Sequence, residues 1–255
     1  MTCQATLAQA LLTTCPRVSV PPDINLGALL ARYPLCAQSF SEALQLSPPQ
    51  RYPYLMAKRR QTLRTGWVIR GIVDGETVDE HVRGLVRLYT LWQGFVRQNG
   101  VVLPMDGHLA ETPLMLEVHD DAEGITGDWA RHDPQRPSRE EKVLLERLAM
   151  HVVNQDSPLG EARIQAFEAH LDLRLTTAQL VHDLDAIQAV VVATYYDQTL
   201  ANGLAIAEEF LPNVRARLFL PATRQFLEAF EHSQPLRQQL LGEAATIFAE
   251  RTTAP

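Results

Sequence analysis

The stretch Val78-Asp79-Glu80-His81-Val82-Arg83-Gly84-Leu85-Val86-Arg87-Leu88-Tyr89-Thr90-Leu91-Trp92-Gln93-Gly94-Phe95-Val96 decides the fold class. Val78, Val82, Leu85, Val86, Tyr89, Trp92, Phe95 and Val96 recur at spacings of one, three and four, the period of one apolar stripe along an α-helix and not the alternation of a strand. The spacing predicts a packed helix with His81 near its start, where a side chain is held rigidly. No stretch of the chain combines sustained alternation with hairpin turns. The fold expected is all-α.

Working outward, Leu114, Leu116 and Val118 lead into the pair His119-Asp120, which is expected on a second helix. The run continues Asp121-Ala122-Glu123-Gly124-Ile125-Thr126-Gly127-Asp128, with Gly124 and Gly127 marking the end of that helix and the loop that presents Asp128. Ser138 with Glu141 three residues on reads as a capping box, and Glu140 adds an acidic first turn, so a helix runs from there to about Val153. Residues 163–172, 177–200, 214–230 and 236–251 read as further helices, the second of them carrying Asp185. Prolines mark 14–25 and 47–53 as breaks, and 26–46 as a helix interrupted at Pro34. Residues 1–50 are expected to form a helical appendage packed on the core or on a partner subunit, and residues 51–255 the core with its C-terminal helices. Internal repeats and low-complexity segments are absent.

An imidazole next to a carboxylate offers two donors to one divalent cation, and His81 upstream with Asp185 downstream can complete the set. Two neutral imidazoles and two carboxylates suit Mn, Fe, Co, Zn or, less well, Mg, rather than a thiolate-held structural zinc. Four protein ligands leave an octahedral ion room for water. A lone His-Asp dipeptide more often makes a helix-end hydrogen bond, so the reading rests on the set. Asp183 competes with Asp185 for the last position. The two lie about 200° apart around one helix, so only one of them can face the ion.

Arg64, Trp67 and Arg70 form a cluster suited to a nucleotide, because a guanidinium forks onto phosphate oxygens and an indole offers a stacking face. The competing readings are structural: Trp67 plugs the core and either arginine pairs with a nearby acid. The sequence does not say which arginine meets phosphate.

Four strings carry a more specific likeness: Arg64-Thr65-Gly66-Trp67-Val68-Ile69-Arg70-Gly71, Val78-Asp79-Glu80-His81, the His119 to Asp128 run, and Leu180-Val181-His182-Asp183-Leu184-Asp185. In order and spacing they resemble the HD-domain metal-dependent phosphohydrolases, nearest to the branch of 5'-deoxynucleotidases, over about residues 55 to 200. The resemblance implies a single HD-domain helical bundle with extra helices at both ends. It assigns His81, His119, Asp120 and Asp185 to a divalent cation, Glu123 to the attacking water, and Asp128 to a second acidic position near the substrate. The family register selects Asp185 over Asp183, which is then expected to be a solvated charge, with His182 on the helix surface or behind the ligands. The activity implied is metal-dependent release of phosphate from (deoxy)nucleoside 5'-monophosphates by single displacement. A hydrolase of nucleoside triphosphates or of a non-nucleotide ester would look alike at the ligands. Relatives of this fold that are di-iron oxygenases add two histidines between the His-Asp pair and the last Asp, where His132, His151 and His170 lie, but their contexts do not match. A non-catalytic nucleotide-binding protein would be expected to lose a ligand or Glu123, and all are kept.

Composition agrees with one soluble domain. A chain of 255 residues can bury one sizeable core, and the net charge of -7 argues against binding a nucleic-acid polymer. Cys3, Cys15 and Cys36 are unevenly spaced, which suits small buried or half-buried residues in a reducing cytoplasm. The first fourteen residues carry neither Lys nor Arg, and the apolar run 186–193 is too short to span a bilayer, so neither a secretory signal nor a membrane segment is expected. The expected partner is a small phosphorylated substrate, and a homodimer is left open.

Overall fold

A computed structural model describes residues 3–101, 111–130, 133–200 and 205–251. In chain order the helices are α1 (Cys3–Thr14), α2 (Leu26–Arg32), α3 (Pro34–Gln45), α4 (Pro48–Arg59), α5 (Thr65–Val68), α6 (Val78–Gln98) and α7 (Thr112–Val118). They continue with α8 (Glu123–Thr126), α9 (Arg139–Asn154), α10 (Gly160–His170), α11 (Thr176–Thr199), α12 (Ile206–Arg217), α13 (Pro221–His232) and α14 (Gln234–Arg251). The protein is all-α: among the described residues, β structure is limited to an isolated antiparallel bridge between Leu63 and Thr77. His132 lies outside the described residues. No helix among them is long and apolar enough to cross a membrane.

The chain divides into two compact units, Met1–Asp79 with Val118–Phe167, and Glu80–Glu117 with Glu168–Pro255. In the first unit α1, α3, α4 and α8 pack on α9, whose Leu144, Leu145, Leu148, Ala149, Met150, Val152 and Val153 are buried. The capping box opens α9 as expected: Ser138 Oγ accepts from the Glu141 amide and Glu141 Oε2 from the Ser138 amide. Asn25 caps α2 through the Ala28 amide, and Pro34 takes the first position of α3, which is why the helix over 26–46 is broken there. The proline-marked 47–53 is a helix start rather than a loop. Pro48 and Pro49 fall in the first turn of α4, where an amide would have no partner in any case. Gly124 permits a close approach: a Cβ there would lie 2.9 Å from Leu55 Cδ1 and 3.1 Å from the Leu55 carbonyl, so α8 rests on α4 at a position that favours the absence of a side chain. Cys15 and Cys36 are buried, each thiol pushed up to about 12 by burial, while Cys3 is exposed.

In the second unit α11 is buried nearly all round and α12, α13 and α14 pack on it. An apolar core joins Leu85, Leu88, Tyr89 and Trp92 of α6 to Leu180, Leu184 and Ile187 of α11 and Phe226 and Leu227 of α13. Outside it, Arg83 and Arg87 of α6 pair with Glu243 and Glu250 of α14, and Arg251 closes on Glu80. The helix expected over 214–230 is two helices. Pro221 cannot donate to a continuing ladder and biases Leu220 to an extended backbone, observed at φ -94 and ψ 135. Asp183 binds the freed amides. It accepts from Phe219 N at 2.8 Å, Leu220 N at 2.9 Å and Thr223 Oγ1 at 2.5 Å, and is 1 % exposed. The solvated charge expected at Asp183 is instead a buried capping carboxylate.

Candidate active site

Within the second unit, Asp185 and Gln188 lie three residues apart on α11 and so share a face, and both meet His81 of α6. His81 is fully buried. Its Nδ1 is 2.9 Å from Gln188 Oε1, and its Nε2 is 3.3 Å from Asp185 Oδ1. An amide oxygen only accepts, so Nδ1 carries the proton and, in the neutral ring, Nε2 turns its lone pair toward the carboxylate. Two electron-rich atoms at that separation need a proton or a cation between them, and an imidazole fixed through its other nitrogen is the arrangement metal ligands adopt. His170 stacks on His182 at 4.3 Å.

Within the first unit, the His119-Asp120 pair does not continue α7. That helix ends at Val118, and His119 to Ala122 form tight turns in which Asp121 N donates to Val118 O and Glu123 N to Asp120 O, before the short α8. The cause is Asp121, whose fully buried carboxylate is drawn between two guanidiniums. Arg59 Nη1 donates to Oδ1, Arg163 Nη2 to Oδ2 at 2.7 Å, and Arg59 also reaches Asp79 at 3.4 Å. The turn so anchored sets His119 Nε2 3.2 Å from Asp120 Oδ2, and the same oxygen accepts from Arg64 Nη1 at 2.6 Å.

Glu123, in the first turn of α8, is 4 % exposed. Lys142 of α9 donates to its Oε1 at 3.2 Å and also to Glu146 one turn on. Its Oε2 is buried and accepts no hydrogen bond among the described residues. Burial, then the charges of Asp120 and Asp128, push the Glu123 carboxyl well above the usual carboxylate range, and Lys142 and Arg64 oppose them. Gly127, at φ +85, turns the chain after α8 in a conformation that favours glycine, and Asp128 follows. The Asp128 carboxylate accepts from the Thr65 amide and its carbonyl from Thr65 Oγ1 at 2.7 Å, so α5 is pinned to this loop.

Of the three residues expected to face substrate, Arg64 reaches the His-Asp turn. Arg70, in the turn just past α5, donates through Nη1 back to the Gly66 carbonyl at 2.9 Å. Trp67 is 3 % exposed and gives its indole N–H to Glu76 at 3.2 Å. Sequence reasoning missed Asp121, Lys142 and Gln188. Lys142 had a local signal, the spacing of four to Glu146. Gln188 and Asp121 had none, because their partners lie 107 residues away in one case and 62 and 42 in the other.

No protein-family model matches the chain. It is 23% identical to the 5'-deoxynucleotidase HDDC2 of Dictyostelium discoideum over 175 residues, 66% of this chain and 88% of that protein. It is 25% identical to the Bos taurus protein of the same name over 181 residues, 69% of this chain and 81% of the relative. The chain is related to the HD-domain 5'-deoxynucleotidases. A conserved hypothetical protein from Pyrococcus furiosus shares the fold, with a TM-score of 0.54 at 20% identity over 72% of this chain and 96% of that one. This likeness agrees with the all-α architecture.

Proposed function

We propose that the chain is a divalent-cation-dependent phosphomonoesterase that releases phosphate from (deoxy)nucleoside 5'-monophosphates. The observation that carries this reading is His81 Nε2 facing the Asp185 carboxylate at 3.3 Å while Nδ1 is committed to Gln188. His81 and Asp185 supply one imidazole and one carboxylate, and the resemblance to the HD-domain phosphohydrolases adds His119 and Asp120 to the ligand set. The donor chemistry, two imidazoles with carboxylates, fits Mn, Co, Fe, Zn or Mg. The names of the curated relatives support a nucleotide substrate.

A cation bound there supplies charge neutralisation at the phosphoryl oxygens. The chain's own residues do the rest. Glu123 orients the attacking water through its unengaged Oε2 and takes its proton, while Lys142 keeps Oε1 fixed. Water oxygen bonds to phosphorus, the bond to the 5'-oxygen breaks, and that oxygen leaves as the nucleoside hydroxyl after taking a proton from solvent. Arg64, with five donors and Nη1 on Asp120, binds phosphate oxygens at the edge of the ligand set. Asp128 fixes the Arg64-Thr65 backbone, and Trp67 and Arg70 hold the segment from within. The test is phosphate release from a panel of deoxyribo- and ribonucleoside monophosphates, nucleoside triphosphates and sugar phosphates by purified, metal-analysed protein. Monophosphates should be the best substrates, and release confined to triphosphates or sugar phosphates would overturn the assignment.

A further inference from the structure

Trp67 is buried, so aromatic surface open to a ligand has to be sought elsewhere. Within the first unit Arg32, Tyr33, Trp129, Asp133 and Gln135 line a cavity of about 320 Å³. That is the lower end of small-ligand sites, roughly 300 to 1,000 Å³, and suits a planar ring system better than a whole nucleotide. The half-buried rings of Tyr33 and Trp129 meet edge to face, with centroids 5.6 Å apart and planes at 66°. Tyr33 is held in place: its hydroxyl accepts from Arg32 Nη2 at 3.0 Å and donates to the Gln135 carbonyl at 3.1 Å. Arg32 is fixed in turn by Glu141, at 3.0 and 2.8 Å.

Among the described residues no hydrogen bond engages the Trp129 indole N–H or the Gln135 side-chain amide, while the Asp133 carboxylate accepts one, from the Gln135 backbone at 2.8 Å. An indole donor, an amide that both donates and accepts, and a carboxylate can meet the edge of a heterocycle whose face lies on an aromatic ring. Two residues of this cavity and its support are next in sequence to members of the Glu123 cluster. Trp129 directly follows Asp128, and Glu141, which holds Arg32, directly precedes Lys142.

We propose that this cavity is the subsite for the nucleobase of the substrate, with Trp129 as the stacking surface and Gln135 and Asp133 reading the base edge. The proposal rests on the phosphomonoesterase reading for its substrate, and its test separates the two. With the intact, metal-loaded chain, Trp129→Leu should raise KM for deoxyadenosine 5'-monophosphate about five- to hundredfold more than for 2-deoxyribose 5-phosphate, which has no base. Trp129→Phe, which keeps a ring, should recover most of the difference. Equal changes for the two esters, or none, would overturn the subsite. Deoxyadenosine alone supplies a readout independent of turnover: it should quench fluorescence of the wild type that Trp129→Leu lacks. No quenching assignable to Trp129 would also overturn the proposal. If quenching occurs while no phosphate ester is hydrolysed, the base site stands and the hydrolase reading falls.

Discussion

Glu123 is the residue whose surroundings say most about its work. One oxygen is tied to Lys142 and the other is buried with no hydrogen bond among the described residues, so the side chain is oriented and still has an acceptor to offer. Glu123→Ala should retain bound metal and lose about a hundredfold or more in turnover, the scale of a positioned base; metal analysis beside kinetics checks both halves. Lys142 lowers the pKa of Glu123 against burial and two neighbouring carboxylates. Its removal must therefore raise that pKa, and the base, active when ionised, is lost at higher pH than before. Lys142→Met should move the acid limb of the pH–rate profile upward, and an unmoved limb would mean that Glu123 does not set it. Asp121 acts on the backbone instead. Replacing it with Ala takes the carboxylate from buried Arg163 and leaves Arg59 with Asp79 alone, so the variant should lose about 3 to 5 kcal/mol of stability in urea titration.

At the scale of elements, Asp183 shows how one buried carboxylate shapes two helices. It takes the amides of Phe219 and Leu220 and the Thr223 hydroxyl at the corner between α12 and α13. Asp183→Ala should cost about 2 to 3 kcal/mol, read as a lower thermal midpoint, with Asp183→Asn recovering part of it; an unchanged midpoint would show that the corner holds without the cap. The same corner marks the limit of what the sequence disclosed. Helices α6, α9 and α11 were legible because their apolar periods or caps are local. The break before Pro221 had a visible signal in that proline, whereas the carboxylate that caps it lies 36 to 40 residues away in the chain. The end of α7 at Val118 depends on Arg59 and Arg163 reaching Asp121, which no window of neighbouring residues contains. In the site, His81 and Asp185 were singled out by residue type and family register, whereas the pairing of Arg64 with Asp120 was not, since the sequence offered Arg64 and Arg70 alike. The burial of Trp67 could not be told from exposure, because an indole suits a core and a ligand equally.

At the scale of the whole molecule, the proposed function makes turnover depend on a bound cation. The account predicts that activity and metal occupancy rise together. The measurement that tests this most directly is titration of Mn²⁺ or Co²⁺ into chelator-stripped protein while phosphate release from a deoxyribonucleoside monophosphate is followed. The stripped protein should be inactive, and release should climb and level off at one ion per chain. Full turnover by the stripped protein, or none with any divalent cation added, would contradict it.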